Sequence, residues 1–233
     1  ATQAEAWEDL VRVLTHEIMN SITPVTSLAA TATDVVEDVL DKVRDDQPIE
    51  DDLVDLHDAI ETVARRSDSL VQFVDSYRQI TRLAPPEKKR TRLADLFETV
   101  LRLARAECPR EDIEFSVEVN PSELDVYADT VLLEPVLINL LRNAWQATES
   151  IDKPVIRLSG RLNRRHNVVV EVADNGPGIP ADIATKIFVP FFTTREKGSG
   201  VGLALARQVM IAHGGFIRVN ASDGGGSVFS LTF

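Results

Sequence analysis

The sequence contains few features of an extracellular or membrane-embedded protein. Cys108 is the one cysteine among 233 residues, so an internal disulfide cannot form, and the paired cysteines of a zinc site are absent. No apolar run approaches the roughly 20 residues that a transmembrane helix needs. The first ten residues have neither the basic start nor the apolar stretch of a signal peptide. We therefore expect a cytoplasmic location and no membrane contact from this segment.

Basic residues are also scarce. The chain has 25 lysines and arginines against 37 aspartates and glutamates, a net charge of −12. Surfaces that bind nucleic acid need clustered lysines and arginines to replace the counterions around phosphates, so no nucleic-acid partner is expected. The apolar fraction of 44% is sufficient for a packed core. The net charge is −9 in residues 1–90 and −3 in residues 91–233, which indicates two structural units.

Apolar residues recur every seven positions in the amino-terminal segment. One row consists of Val11, Ile18, Val25, Ala32 and Val39. Such spacing is typical of a coiled-coil seam. Gln47-Pro48 interrupts it, and a second helical rhythm follows between residues 53 and 77, including Leu53 and Ile60. These patterns predict an antiparallel helical hairpin. Because two helices bury only one narrow seam each, we expect two hairpins to form a dimeric four-helix bundle, and hence a homodimer.

A proline-rich segment follows the hairpin. Ala84-Pro85-Pro86 ends the helical rhythm because proline lacks an amide donor and restricts the residue before it. We predict a hinge at 85–90 between an amino-terminal domain, 1–84, and a carboxy-terminal domain, 91–233.

Helical and strand-like patterns alternate in the carboxy-terminal domain. Strand-like segments occur at 113–119, 124–128, 154–160, 167–172, 215–219 and 227–233. Helical patterns occur at about 93–106, 130–148 and 201–213. Together they predict an α/β sandwich, which gives the whole chain an α+β fold.

The motif DNGPG, at 174–178, has the residues of a base-binding site. Asp174 can accept a hydrogen bond from the exocyclic amine of adenine, and Gly176 and Gly178 let the backbone approach a flat base because they have no Cβ. Taken alone, Asp-Asn-Gly is as often an ordinary turn.

A second glycine-rich segment has the properties of a phosphate site. Gly198, Gly200 and Gly202 precede an apolar helical pattern, so their amides and the positive end of the helix can hold phosphate oxygens. The segment is neither a Walker loop nor part of a βαβ dinucleotide fingerprint. Another kind of nucleotide fold is therefore required.

Two asparagines provide a candidate metal ligand. Asn139 and Asn143, four residues apart, share a helix face, and Asn143 can offer an oxygen to Mg²⁺. Read alone, the pair is equally consistent with a satisfied polar pair near a helix end.

His16 is a candidate nucleophile. The heptad register places it on the outward face of the first helix, with Asn20 one turn further along. A neutral imidazole can attack a phosphoryl group, and the adjacent Glu17 can accept its proton. Without other motifs, such a His-Glu pair is more often a solvated surface.

Five motifs, taken together and in order, resemble the catalytic core of a bacterial sensor histidine kinase. The correspondence is HEIMN to the H box, NLLRNA to the N box, DNGPG and GSGVGL to the two glycine boxes, and IFVPFF to the F box. The resemblance covers nearly the whole chain. With Pro24 eight residues after His16, the H box is most similar to that of the nitrogen-regulation branch.

This resemblance implies a dimerisation and histidine phosphotransfer domain followed by a Bergerat-type ATP-binding domain. It implies ATP and Mg²⁺ as cofactors, phosphorylation of His16, and a response-regulator receiver domain as partner. Asn20 implies an additional phosphatase activity toward the regulator. An upstream sensor or membrane region is also expected. The implied nucleotide-binding residues are Asn139, Asn143, Asp174, Gly176, Gly178, Phe188, Lys197, Gly198, Gly200, Gly202, Leu203 and Ser227.

The sequence departs from the family pattern at Gln146, where many histidine kinases have a basic residue. Another basic residue must then offset the negative charge of the phosphates. The candidates are Arg142, Arg195 and Lys197, although each is equally consistent with a solvated surface residue.

Asn139 distinguishes the competing functions. Related ATPases that hydrolyse ATP have glutamate there as a general base, and an amide cannot take that proton. Transfer to a protein nucleophile is thus favoured over a chaperone-like hydrolase. A dimeric scaffold with an inactive nucleotide site is the non-enzymatic alternative.

Overall fold

The computed structural model describes residues 24–36, 39, 42–43, 53–65, 67, 83–195, 198, 200–222 and 225–233. The chain divides into two compact units, Ala1–Gln79 and Ile80–Phe233. The predicted catalytic residues His16, Glu17 and Asn20 lie outside the described residues, as does Lys197.

Two helical stretches are described in the first unit, α1 over residues 24–36 and α2 over residues 53–65. In α1 the predicted seam is confirmed, because Val25, Leu28, Ala32 and Val35 are less exposed than most of their neighbours. In α2 the less exposed stripe includes Leu56, Ala59 and Val63. Leu53 and Ile60, which the sequence also assigns to the second helical rhythm, are 46% and 54% exposed in the single chain, so their place in a seam stays a prediction. The less exposed stripe of α2 follows a spacing of three and four residues through Ala59, a small apolar residue that the predicted rhythm did not include.

Three α-helices and two sheets are present among the described residues of the second unit. Its helices are α3 (Leu93–Glu107), α4 (Thr130–Ala147) and α5 (Gly202–Ala212). Its strands are β1 (Lys89–Arg92), β2 (Glu114–Asn120), β3 (Asp125–Ala128), β4 (Val155–Leu162), β5 (Val168–Asp174), β6 (Phe216–Ala221) and β7 (Ser227–Thr232). A short 3₁₀ turn spans Lys186–Phe188. The helices and strands that periodicity predicted are thereby confirmed, with small differences at their ends.

Five strands form the main sheet in the order β2-β4-β5-β7-β6. Its pairs are antiparallel, apart from parallel β2 and β4. Helix α4 contacts α3, α5 and strand β5, so it lies centrally in the helical layer. The apolar face of α4 is buried through Leu133, Leu137, Leu140, Leu141 and Ala144. The observed architecture is thus mixed α/β, with helices packed on a five-stranded sheet.

Strand β1 was missed from sequence. It pairs antiparallel with β3 in a separate two-stranded sheet, with Lys89 opposite Ala128 and Arg92 opposite Asp125. The last two residues of the predicted hinge therefore lie in a strand. Its sequence, KRTR, is charged and mostly exposed, so it shows no apolar alternation. Within the described part of the chain, none of the helices has both the length and the apolarity of a membrane span.

Candidate nucleotide-binding site

A cavity of about 600 Å³ opens beside α4. Its walls come from α4, the end of β5, the segment between β5 and α5, the first turn of α5 and the start of β7. Most of the predicted nucleotide-binding residues lie around it. Those that line it are Asn139, Asn143, Asp174, Gly178, Gly198, Gly200, Gly202, Leu203 and Ser227.

Asp174 supplies a buried carboxylate to this cavity. The residue is 6% exposed at the end of β5. Its Oδ1 accepts hydrogen bonds from the amides of Gly176, at 2.9 Å, and Ser227, at 3.2 Å. Within the described residues no hydrogen bond reaches Oδ2, which leaves that oxygen able to accept from a ligand. Burial raises the pKa of the Asp174 carboxyl, while the two amide hydrogen bonds oppose this by favouring its ionised form.

The backbone around Asp174 is packed too closely for side chains. A Cβ on Gly176 would lie 2.8 Å from the carbonyl oxygen of Ala147 in α4. Gly226, with φ of +91°, passes so close to Asp174 that a Cβ would lie 2.7 Å from its carbonyl carbon. Gly178, with φ of +80°, faces the backbone of Gly226. These close approaches hold the carboxylate at the cavity wall.

The other residue of the DNG motif has a structural role. Asn175 accepts a hydrogen bond from the amide of Val155 at 2.9 Å through Oδ1. Its Nδ2 donates to the carbonyl of Lys153 at 2.8 Å. The side chain therefore joins the end of β5 to the start of β4 and fixes the turn from which Asp174 is presented.

Asn139 lies against the amino end of α5. A Cβ on Gly202 would approach within 2.6 Å of Cγ of Asn139, so the glycine makes room for the carboxamide. Within the described part of the chain, Nδ2 of Asn139 is buried and has no hydrogen-bond partner. A buried unpaired donor is costly, so an acceptor such as a phosphate oxygen or a water would satisfy it.

The segment before α5 is shaped by a close backbone contact. Gly200, with φ of +65°, accepts a hydrogen bond at its carbonyl from the amide of Phe191 at 2.9 Å. A Cβ on Gly200 would lie 2.7 Å from Cα of Phe191. Gly198 is equally crowded, since a Cβ there would overlap Oγ1 of Thr193. Close packing therefore favours glycine at both positions, and the positive φ favours it at Gly200 as well.

Arg195 brings a positive charge to the cavity beside α4. Its guanidinium donates to the side-chain oxygen of Gln146 and, at 3.4 Å, to the carbonyl of Asn143. Gln146 thus helps to hold a cation at the position from which the family's basic residue is missing. Arg142 also lines the cavity but forms an ion pair with Glu107 of α3.

The remaining wall is apolar. It includes Ile179, Ile183, Ile187, Phe192 and Phe229. An apolar wall beside one buried carboxylate suits a flat heteroaromatic ring that carries an amine. Asn143 is half-buried at the opposite side and can offer its amide oxygen to a hard cation such as Mg²⁺. The residues present therefore fit both a nucleotide and its metal ion.

Two predicted nucleotide-binding residues do not line the cavity. Phe188 packs against the hydrophobic core, and Gly176 lies behind Asp174. Ile187 and Phe192 line the cavity instead of Phe188. Gly226 supports the site although sequence reasoning did not select it. The run of three glycines at 224–226 was its one visible signal.

Comparison with known proteins gives a consistent family. Residues 128–233 match the model for histidine kinase-, DNA gyrase B- and HSP90-like ATPases. The nitrogen regulation protein NtrY of Azorhizobium caulinodans is 30% identical over 238 residues, which covers 100% of this chain and 29% of that protein. The chain thus spans less than a third of that relative.

Comparison with solved structures indicates the same family. The catalytic domain of histidine kinase ThkA is 33% identical, with a TM-score of 0.56, and the match covers 63% of this chain and 95% of that one. A structure of ThkA in complex with the response regulator protein TrrA matches 100% of this chain and 67% of that one, at 24% identity and a TM-score of 0.60. That second likeness concerns the fold alone.

Proposed function

The chain belongs to the sensor histidine kinase family, and we propose that it transfers the γ-phosphoryl group of ATP to His16 and then to an aspartate of a response regulator. The observation that carries this proposal is the cavity in which buried Asp174 faces the glycine-rich amino end of α5 across the asparagines of α4. This arrangement separates a base-binding end from a phosphate-binding end.

At the base-binding end, Oδ2 of Asp174 accepts from the adenine amine, and the apolar wall covers the ring. At the phosphate-binding end, Gly200 and the amino terminus of α5 provide backbone donors, and Gly198 lines the cavity while its own amide donates to the carbonyl of Arg195 at 3.2 Å. Gly178, Leu203 and Ser227 also line the cavity. Gly176 supports this site through its backbone amide, which donates a hydrogen bond to Asp174.

Charge and metal binding involve a second group of residues. Mg²⁺ would be held by Asn143 together with phosphate oxygens and water, and it would offset the negative charge of the triphosphate. Arg195, which is hydrogen-bonded to Gln146 and to the carbonyl of Asn143, supplies a cation on the same side of the cavity. Lys197 remains a candidate for the same role.

The chemistry at the acceptor is a nucleophilic displacement. The imidazole of His16 forms a nitrogen–phosphorus bond as the bond to ADP breaks, and Glu17 accepts the imidazole proton. Asn139 cannot act as a general base toward water, because a carboxamide does not take a proton at neutral pH. This favours transfer to His16 over hydrolysis.

The partners follow from the same proposal. The receiver domain of a response regulator takes the phosphoryl group from His16, and Asn20 orients water for hydrolysis of the regulator's aspartyl phosphate, which releases inorganic phosphate. ThkA, the catalytic domain of which resembles this one, forms a complex with the regulator TrrA. ATP and response regulators are cytoplasmic, so the proposed reaction takes place in the cytoplasm.

We also propose that the first unit dimerises as a four-helix bundle. The apolar side chains of Val36, Leu53, Val54 and Ile60 are between 40% and 58% exposed in the single chain. Burial of such residues against a second copy would remove apolar surface from water, which is the main driving force for helix association.

Phosphorylation of His16 can be tested with the 233-residue chain. Incubated with radiolabelled ATP and Mg²⁺, it should acquire a label that acid removes and base does not. His16→Gln should abolish this label and leave nucleotide binding unchanged. His57→Gln is the matched control, because His57 is an exposed histidine of α2, and it should keep the label.

Two results would contradict the proposal. Label that persists in His16→Gln would exclude His16 as the acceptor. Rapid phosphate release without any labelled protein would favour a hydrolase over a kinase.

A further inference from the structure

Lys88, Asp129 and His213 form a cluster, which we call the latch, where the second unit begins. Asp129 precedes α4, His213 follows α5, and Lys88 precedes β1. None of the three lines the nucleotide cavity. The latch therefore connects the distal ends of the two helices that carry Asn139 and Gly202.

The imidazole of His213 uses both of its nitrogens. Nδ1 lies 2.8 Å from the carbonyl oxygen of Val209, and since a carbonyl only accepts, Nδ1 must carry the proton. Nε2 is then an acceptor, and the backbone amide of Asp129 donates to it at 3.0 Å. His213 is 8% exposed. A buried neutral imidazole thus bonds the end of α5 to the start of α4.

Asp129 joins α4 to the segment ahead of β1. Oδ1 accepts from the amides of Val131, at 3.0 Å, and Leu132, at 3.4 Å, which caps the helix. Oδ2 accepts from the amide of Glu87 at 2.8 Å. One carboxylate therefore holds both the first turn of α4 and the backbone before Lys88.

Lys88 closes the cluster. Its Nζ donates to the carbonyl oxygen of His213 at 2.8 Å, although the two residues are 125 positions apart. That carbonyl belongs to the carboxyl end of α5, where a positive charge is favourable. Glu87 and Lys88 thus bind the start of one nucleotide-bearing helix and the end of the other.

We infer that Lys88, Asp129 and His213 are positioning residues for nucleotide binding. Helices α4 and α5 pack against each other in the core, and the latch and the contact of Asn139 with Gly202 further fix their relative position. Loss of the latch allows the amino end of α5 to shift from Asn139, and the affinity for triphosphate falls. Displacement of residues 83–86 that breaks the latch has the same effect.

This inference rests on the proposed ATP site and has a reciprocal consequence. If a closed latch strengthens nucleotide binding, bound nucleotide must stabilise the latch by the same factor. The amide of Glu87, which donates to Asp129, should therefore exchange its hydrogen more slowly when nucleotide is bound.

The first test compares nucleotide affinity in the full 233-residue chain, measured with a fluorescent ATP analogue. Lys88→Met should weaken binding about threefold and His213→Leu about tenfold, since one and two hydrogen bonds are lost. Lys89→Met is the matched control, because Lys89 is exposed and adjacent, and it should bind normally. His213→Gln should recover most of the loss, because its side-chain oxygen can accept from Asp129.

The second test is hydrogen exchange at residues 83–90 with and without nucleotide. Nucleotide should slow exchange in the wild type and Lys89→Met, and the slowing should be lost in Lys88→Met.

His213 is buried, so folding of its variants is checked by thermal unfolding, and Lys88→Met decides the matter if they fail to fold. If Lys88→Met had wild-type nucleotide affinity and wild-type hydrogen exchange, the positioning role of the latch would be disproved, but the proposed kinase activity would be unaffected. Failure of the wild type to bind nucleotide would overturn both.

Discussion

The carboxamide of Asn139 occupies the space that a side chain at Gly202 would need. A Cβ at Gly202 would lie 2.6 Å from both Cγ and Nδ2 of Asn139. The first N-box asparagine and the last glycine of the second glycine box are thus in direct contact, 63 positions apart in the sequence. The proposed phosphate-binding end of the cavity depends on this contact, because it sets the amino terminus of α5 beside α4.

Gly202→Ala should therefore weaken ATP binding at least tenfold and lower the thermal stability, since the new methyl group displaces Asn139 or α5. Calorimetry and thermal unfolding would measure the two effects. In the double variant Asn139→Ala with Gly202→Ala, the methyl group no longer meets the carboxamide and stability should largely return. Equal stability of the single and double variants would contradict this steric explanation.

Asp174→Asn should reduce ATP affinity by about tenfold or more without unfolding the protein. Its amide oxygen can still accept from Gly176 and Ser227, so the amide nitrogen then replaces Oδ2. The side-chain amide nitrogen of the variant and the exocyclic amine of adenine are both donors, so they could not form a hydrogen bond with each other. Asp182→Asn is the control, because Asp182 is exposed and does not line the cavity. Equal affinity of the two variants would exclude Asp174 as the base-binding acceptor.

The stability of Asp174→Asn should depend on pH. Burial raises the pKa of the folded Asp174 carboxyl, so its contribution to stability is fully present below the unfolded pKa and is lost as pH rises through the raised folded value. An amide does not ionise. The variant should therefore melt a few degrees higher than wild type at pH 7. The difference should shrink as pH falls toward the ordinary pKa of aspartate, in a pH series of thermal unfolding. A difference that grows on acidification would contradict burial as the cause.

Arg195→Met should weaken the binding of ATP roughly threefold to tenfold and that of adenosine much less, because the guanidinium lies at the phosphate end and away from Asp174. Competition binding with the two ligands measures the difference. Arg207→Met, an exposed arginine of α5, is the matched control and should change neither affinity. Equal losses for ATP and adenosine in Arg195→Met would indicate general disruption of the site.

Most elements of the second unit could be predicted because each carries its own periodicity. The buried row of α4 repeats every three or four residues, and β5 is a valine-rich segment in which Glu171 is the one polar residue before Asp174. Strand β1 could not be predicted in this way. Its four residues are charged or polar, and it is a strand because its backbone pairs with β3.

The site could be predicted where residue type and chemistry coincide. Asp174 and the glycines of both boxes are such cases, since a short carboxylate suits a buried acceptor and glycine suits a close backbone approach. Phe188 and Ile187 show the limit of this reasoning. They are neighbours of similar character, but Ile187 belongs to the core and also lines the cavity, whereas Phe188 packs against the core without lining the cavity.

The sequence by itself determined the family, the elements of the second unit and the residue types of a nucleotide site, because periodicity and local motifs are properties of adjacent residues. The tertiary structure alone decided that Gln146 holds Arg195, that Gly226 supports Asp174 and that Lys88 reaches His213. These pairs are distant in sequence, and no local pattern encodes them. They meet because packing of the helices on the sheet brings separate segments together.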